Sequence, residues 1–488
     1  LIISTPPWAE PEGETRTSAD DWAERARVPF ARRQIAGAYA LRALEFLSEG
    51  GRACIILPIG QFLGASTSNA SFVAHTLRSY RPLRLINFGD LQGLLFPTAE
   101  NTCHVFLGER RDGGHGLVPF DETFDYLVPK ADLSLALGRL TMQSADRHSL
   151  QTRAVVEDPQ LLVTMMWGDA NDLAIWTRLT LRGTFADFWR GPKESRRWMY
   201  RKGIHLQDKS RKPVDAGVLR KKPHVPIAAL RVGSPVLHPD LLVKWPANQA
   251  TVVGLGSEIL KVFEGPRVLF PDGFSKDEQN VRAVYYDGPA SFTHSIGVIA
   301  GPEQDSALLQ FVAVYLRSTL ARYFLMMRGW KMLCERNGVH LSDVETFPFF
   351  EPDDAPHPDA ARTALKLVEK HMTALSSLAD LEQVPRYDAL RDQLDDAIFS
   401  YFGLTSEEQM LVRETVNILM PSVRPRSFRS LDTPTQHRVE ADDIKIYASV
   451  LAAALTNWRT KTHGQGRFQV EVVRSEERRV GKECRSRW

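Results

Sequence analysis

The chain has 488 residues, 43% of them apolar and 25% charged, with a formal charge of +2: an ordinary globular composition, long enough for two or three domains with cores of their own. No apolar stretch is long enough to span a membrane, since even Phe311 to Met327 is broken by Arg317, Ser318 and Arg322. The four cysteines, Cys54, Cys103, Cys334 and Cys484, lie far apart without CxxC pairs or histidines at ligand spacing, so neither a disulfide framework nor a zinc site is supported, no metal is expected, and a reducing cytoplasm fits best.

Leu1 opens on an apolar run without a charged leader or cleavage site, so the chain reads as a truncated piece rather than a targeted one. Leu1 to Ser4 is expected to end a strand, followed by a polar loop over residues 9–29. Ala36, Ala40, Ala43, Leu44 and Leu47 then recur at helical spacing, and Gly50-Gly51 stops the helix. Ala53 to Leu57 reads as a strand buried on both faces, Ser71 to Ser79 as a helix, and Leu83 to Phe88 and Cys103 to Leu107 as further strands. Apolar runs alternating with helices predict a parallel α/β sheet, of which residues 1–110 match the second half of a doubly wound fold.

The periodicity weakens over 111–175, a connector. Residues 176–355 are mixed, with β-like runs at Val225–Val232, Ala283–Tyr286 and Ile296–Ile299, and read as a separate α+β domain. After the Pro/Asp-rich break at Pro352–Pro358 the chain is helical, with Thr405 and Glu408 spaced as a capping box before Met410–Ile418. The helical region is taken as 356–473. The last fifteen residues, RSEERRVGKECRSRW, resemble translated vector sequence and are set aside as a non-native tail, 474–488. They hold six Lys or Arg against three Glu, so without them the formal charge turns from +2 to −1 and any nucleic-acid binding must rest on local patches.

Thr5-Pro6-Pro7-Trp8 follows the first strand, the place where ligands gather in open α/β sheets. An adenine exocyclic amine is a poor nucleophile because its lone pair is delocalised into the ring, and acceptors that bond both N–H groups localise that pair. Pro6 has a fixed φ and aims its carbonyl, residue 5 offers a side-chain acceptor, and Trp8 offers a face on which an extruded base stacks. A second feature is Arg190–Lys222, with twelve Lys or Arg against three acids and Trp198 and Tyr200 between them. Its Arg196, Arg197, Arg201, Lys202, Arg211, Lys212, Arg220, Lys221 and Lys222 suit a surface facing phosphates. Gly254-Leu255-Gly256 is a lone Gly-x-Gly and reads as a turn, not a cofactor loop.

With these motifs the chain resembles the adenine-N6 DNA methyltransferases that carry an Asn/Asp/Ser-Pro-Pro-aromatic motif, especially the type IIG restriction-modification enzymes. Gly37, Tyr39, Ala43, Leu47, Gly50-Gly51 and Ile55-Ile56-Leu57-Pro58 fill the helix and strand that follow the motif in that family, and Phe96-Pro97 stands where its second base-stacking aromatic lies. Leu316-Arg317-Ser318, Phe347 to Pro352 and Leu394 to Thr405 are looser matches to its later segments.

The resemblance implies the C-terminal half of a Rossmann-like methyltransferase sheet, an α+β target-recognition domain and a helical C-terminal region. It implies methyl transfer from S-adenosylmethionine to a flipped adenine, with Thr5, Pro6 and Pro7 in the catalytic motif and Trp8 and Phe96 sandwiching the base. Double-stranded DNA is the implied partner, beside restriction or defence-system subunits. The family's cofactor residues precede the Pro-Pro motif, so none is assigned here. Residue 5 is Thr where the family usually has Asn, Asp or Ser, and Ser4 replaces a usual Gly. A Thr hydroxyl accepts weakly and its methyl narrows the pocket, which supports the alternative of a non-catalytic DNA-binding or specificity subunit with a decayed methyltransferase lobe.

Overall fold

The computed structural model describes residues 1–11, 16–91, 102–111, 117–131, 140–190, 197–206, 212–230, 233–246, 249–272, 281–329, 341–423, 441–462 and 464–470. The chain divides into two compact units, Leu1–Phe428 and Arg429–Trp488.

The first unit begins with strand β1 (Ile2–Ser4), followed by helix α1 (Ser18–Ala26). Thr17 caps α1: the Asp20 amide donates to Thr17 Oγ1 at 3.3 Å, and the Thr17 amide donates back to the Asp20 carboxylate at 2.8 Å. This helix sits inside the loop expected over 9–29. Helix α2 (Ile35–Arg42) tightens into a 3-10 turn over Ala43–Phe46, and Gly50 adopts φ +67, a conformation glycine reaches without a Cβ clash. Strand β2 (Arg52–Pro58), helix α3 (Thr67–Ser79), strand β3 (Tyr80–Asn87) and strand β4 (Cys103–Arg110) follow close to the expected places. In β2, Ala53, Ile55 and Leu57 are fully enclosed and Cys54 and Ile56 only partly, so the strand is better covered on one face than on the other.

Two strands beyond residue 110, β5 (Thr123–Leu127) and β6 (Arg147–Gln151), complete a six-stranded sheet in the order β1-β2-β4-β3-β5-β6. The sheet therefore runs through the stretch read as a connector. It is also mixed where a parallel sheet was expected: β1–β2 and β3–β5 are parallel, whereas β4 runs antiparallel to both β2 and β3 and β6 antiparallel to β5. Cys103–Leu107 is inserted in the middle of the sheet, between β2 and β3. Four strands, β1, β2, β3 and β5, consequently point the same way, and their carboxyl ends share one edge of the sheet with the start of β4. β1 is an end strand, and its Leu1 and Ile3 side chains are exposed.

Helices α4 (Leu161–Trp167) and α5 (Ala170–Thr180) lead to a second module. Strands β7 (Met199–Lys202), β10 (Pro266–Pro271), β11 (Val284–Asp287) and β12 (Ile296–Ala300) form an antiparallel sheet ordered β11-β10-β12-β7, while β8 (Pro213–Asp215) pairs with β9 (Thr251–Val253). Of the β-like runs, Ala283–Tyr286 and Ile296–Ile299 become strands, but Val225–Val232 holds only a 3-10 turn at Ile227–Ala229 among its described residues. Gly254 takes φ +79, and Gly254-Leu255-Gly256 joins β9 to a short helix at Ser257–Leu260. Ile204, Leu219, Val252, Phe263, Leu269, Phe292 and Val298 build this module's own core.

The main core continues into helices α6 (Ser306–Arg317), α7 (Thr319–Arg328), α8 (Pro358–Ser376), α9 (Asp380–Phe402) and α10 (Ser406–Glu414). α10 opens with the Thr405/Glu408 capping box read from the sequence. Among the described residues no helix is long and apolar enough to cross a membrane.

Gly203, just after β7, donates its amide to Ile296 O at 3.0 Å, and a Cβ there would lie 2.6 Å from Phe292 O and press on Thr293 O as well. Both obstacles are backbone, so Gly203→Ala is expected to destabilise the module by about 1–3 kcal/mol, whereas Gly256→Ala, with open space around it, is expected to melt like the parent. Equal melting of the two variants would contradict this packing.

In the second unit, α11 (Ala441–Lys461) exposes Ile446, Tyr447, Val450 and Trp458; the Phe468 amide donates to Thr456 Oγ1 at 3.0 Å, and Arg459 lies over the Phe468 ring. The tail 474–488 lies outside the described residues.

Candidate functional site

The Thr5–Trp8 loop leaves β1 at the edge where the parallel strands end. Pro6 is buried, Thr5 and Pro7 are exposed, and Trp8 is half-buried against the core. The Trp8 indole N–H donates to Ile56 O of β2 at 3.4 Å, which orients the ring along the neighbouring strand. The Thr5 hydroxyl makes no hydrogen bond among the described residues, so its acceptor capacity is unspent.

The loop is braced from behind by the turn that starts α2. Ile35 donates its amide to Ala9 O at 3.0 Å, Arg32 pairs with Glu10 at 3.2 Å, and the Arg33 guanidinium grips both oxygens of Asp20 at 2.8 Å. Arg32 and Arg33 both take positive φ, 54 and 52, a strained backbone for residues with a Cβ. The ion pairs hold that conformation, and the Arg33 bond keeps the Asp20 carboxyl well below its ordinary range.

Three other strand ends meet this edge. After β2, Gln61 is buried with its amide nitrogen unpartnered among the described residues, and a Cβ on Gly37 would come within 2.7 Å of that nitrogen. This close approach gives Gly37 a physical reason. After β3, Asn87 donates to the Tyr126 hydroxyl at 2.7 Å, and its oxygen accepts the Gly89 amide at 2.8 Å. Asp90 accepts from the Ala131 amide at 2.8 Å; burial raises its carboxyl, and Lys130 opposes that rise. At the start of β4, His104 is fully buried, with neither ring nitrogen partnered among the described residues, and burial holds it down to about 3, uncharged. Sequence reading missed Gln61, Asp90 and His104. The only signal was a polar residue immediately beyond, or at the start of, an apolar strand.

Phe96 and Pro97 lie outside the described residues; the described chain stops at Leu91 and resumes at Thr102, both buried at this edge. No group of three His, Cys, Asp or Glu among the described residues is placed to hold a metal. A cleft of about 510 Å³ near α1 is lined by Arg16, Arg27 and Arg33 with Asp20 and Glu24, and Arg16 and Arg33 are already ion-paired there.

In the second module the basic residues divide by what they touch. Arg196 and Arg211 lie outside the described residues. Arg197 is held bidentately by Asp305, at 2.7 Å on each oxygen, and also contacts Glu351; Asp305 further accepts from the buried Trp198 indole at 2.7 Å. Lys202 pairs with Asp272 at 2.5 Å, Lys222 with Glu264, and Arg220 reaches Ala250 O at 2.9 Å. Arg201, Lys212 and Lys221 carry no ion pair among the described residues. Arg201 and Lys202 lie on edge strand β7, and a bridge between His205 and Val253 joins the continuation of β7 to β9 and so to β8, where Lys212 begins.

No family model matches the chain, and no curated protein matches it. Solved structures do. The type IIG restriction endonuclease BpuSI is similar at 10% identity over 82% of this chain and 54% of its own, with a TM-score of 0.31. The type IIL restriction-modification enzyme MmeI in complex with DNA is similar at 11% identity over 85% and 56%, TM-score 0.45, and a DrdV–DNA complex at 10% over 78% and 45%, TM-score 0.38. The chain spans about half the length of these structures.

Proposed function

We propose that this chain is the base-handling and target-recognition part of a restriction-modification DNA adenine-N6 methyltransferase. The observation that carries the reading is the Thr5-Pro6-Pro7-Trp8 loop at the carboxyl edge of an α/β sheet, with Trp8 fixed against β2 and the loop braced by the strained Arg32–Arg33 turn. Functional loops gather at that edge, and stored strain marks backbone whose position matters.

In this reading duplex DNA gives up an adenine, whose face rests on Trp8 while Pro6 O and Thr5 Oγ1 accept its two amine N–H bonds. These residues orient the base and localise its lone pair; positioning and electrostatics account for the acceleration, and no general base is required before attack. Phe96 is the proposed second stacking aromatic. S-adenosylmethionine is the proposed methyl source. Arg201, Lys212 and Lys221 are the proposed backbone contacts, because their charges are not spent on the protein.

Methyl transfer from labelled S-adenosylmethionine to plasmid adenine by the intact protein tests the reading; DNA binding without transfer favours the decayed specificity module instead. Each of Arg201→Ala, Lys212→Ala and Lys221→Ala is expected to weaken duplex binding and to reduce the slope of log K against log salt by about 0.9 per lost phosphate contact. Unchanged slopes in all three would remove this surface from the interface.

A further inference from the structure

We propose that His205 and His294 form a proton-coupled phosphate contact, so that the second module takes up a proton as it engages the DNA backbone; this rests on the DNA-binding reading above. The two imidazoles stack with centroids 4.3 Å apart and planes 11° apart. They come from separate elements: His205 continues from β7 and bridges Val253 of β9, while His294 precedes β12 and donates its amide to Ile204 O at 2.8 Å. His294 is exposed and His205 half-buried, so the stack reaches solvent beside the basic edge strand.

Among the described residues, the charges acting on His294 come from Lys202 and Asp272. Lys202 faces it from β7, and Asp272, whose amide donates to Ser295 O at 2.9 Å, from the end of β10; these two pair with each other at 2.5 Å. β8, which pairs with β9, carries Asp215, and Lys212 stands just before it. Burial, then His205, then Lys202 lower the His294 imidazole below its ordinary value, and Asp272 only partly opposes them. Burial and the stacked His205 ring disfavour the charged form of His294, so in the free protein that imidazole is mostly uncharged at neutral pH. A phosphate oxygen reverses the balance: it adds negative charge where Lys202 is already committed to Asp272, and protonation turns the ring into a donor at both nitrogens. The group gains affinity for its proton in the complex, so linkage makes binding tighten as pH falls through the imidazole range. A stack that served packing alone would leave DNA affinity without this dependence.

The test is the affinity of the full chain for a fluorescent duplex at constant ionic strength from about pH 8 to about pH 5.5, the ordinary imidazole range lying between. Wild type is compared with His294→Asn and His205→Asn. Wild-type Kd is expected to fall about three- to tenfold per pH unit, tenfold being the limit for one proton, while both variants lose that slope. Calorimetric titration in two buffers of different ionisation enthalpy reads proton uptake directly on the unmodified protein. Equal slopes in wild type and both variants, or no uptake, overturn the proposal and leave the DNA reading standing. Failure to bind duplex at any pH sinks that reading and the proposal with it.

Discussion

Trp8→Ala in the intact protein is expected to lower kcat/KM for adenine methylation by about 10- to 100-fold while changing duplex affinity little. A base stacked on an aromatic side chain gains about 1–3 kcal/mol, and that gain is realised only once the adenine has left the helix. Backbone contacts made by the second module are untouched by the change. Trp8 also packs against the core and bonds Ile56 O, so part of the loss in Trp8→Ala comes from a loosened loop. Trp8→Phe separates the two: it keeps a stacking face and gives up the indole bond, and it is expected to retain most of the activity. Fluorescence of 2-aminopurine at the target position reports extrusion independently of transfer. Full activity in Trp8→Ala would end the stacking role.

Local periodicity carried much of the first unit. Alternating apolar runs fix a strand or helix within a few residues, and β2, α3, β3 and β4 stand where Ala53–Leu57, Ser71–Ser79, Leu83–Phe88 and Cys103–Leu107 indicated. Strand order is a non-local property, and nothing in Cys103–Leu107 itself says that it enters between β2 and β3. The continuation of the sheet into β5 and β6 escaped for a related reason: Arg147–Gln151 exposes most of its side chains, and such an edge strand shows no apolar run to detect.

The site was legible to the same degree. A Pro-Pro-aromatic after a strand is a local signal. Its brace is not, because it depends on Arg32 and Arg33 adopting positive φ under the pull of Glu10 and Asp20. The basic segment shows the limit most clearly. Twelve Lys or Arg between 190 and 222 look alike in sequence, and only their partners distinguish a charge committed to the fold from one free to meet phosphate.

Arg197 and Arg201 make that distinction measurable through Asp305. The Asp305 side chain is 2% exposed and satisfies two nitrogens of Arg197 and the buried Trp198 indole, tying the entry of the second module to the start of α6. Asp305→Ala leaves the indole N–H without its acceptor and Arg197 with only Glu351. Breaking a buried pair costs about 3–5 kcal/mol; Arg197 is 40% exposed and regains water, which places the expected loss near the lower end.

Burial pushes the Asp305 carboxyl up, but its bonds from Arg197 and Trp198 outweigh that and leave it below the ordinary value. A depressed acid stabilises the fold above its unfolded value and loses that contribution as pH falls through the folded one. The stability gap between wild type and Asp305→Asn, read by urea unfolding, is therefore expected to be full at pH 7 and to close below about pH 4. Arg197→Ala should share the loss of stability and, if its guanidinium serves the fold alone, bind duplex like wild type after correction for the unfolded fraction. Arg201→Ala should do the reverse, melting normally and binding less. An Arg197→Ala protein that is fully stable but defective in DNA binding would return that arginine to the interface and leave Asp305 with the indole alone.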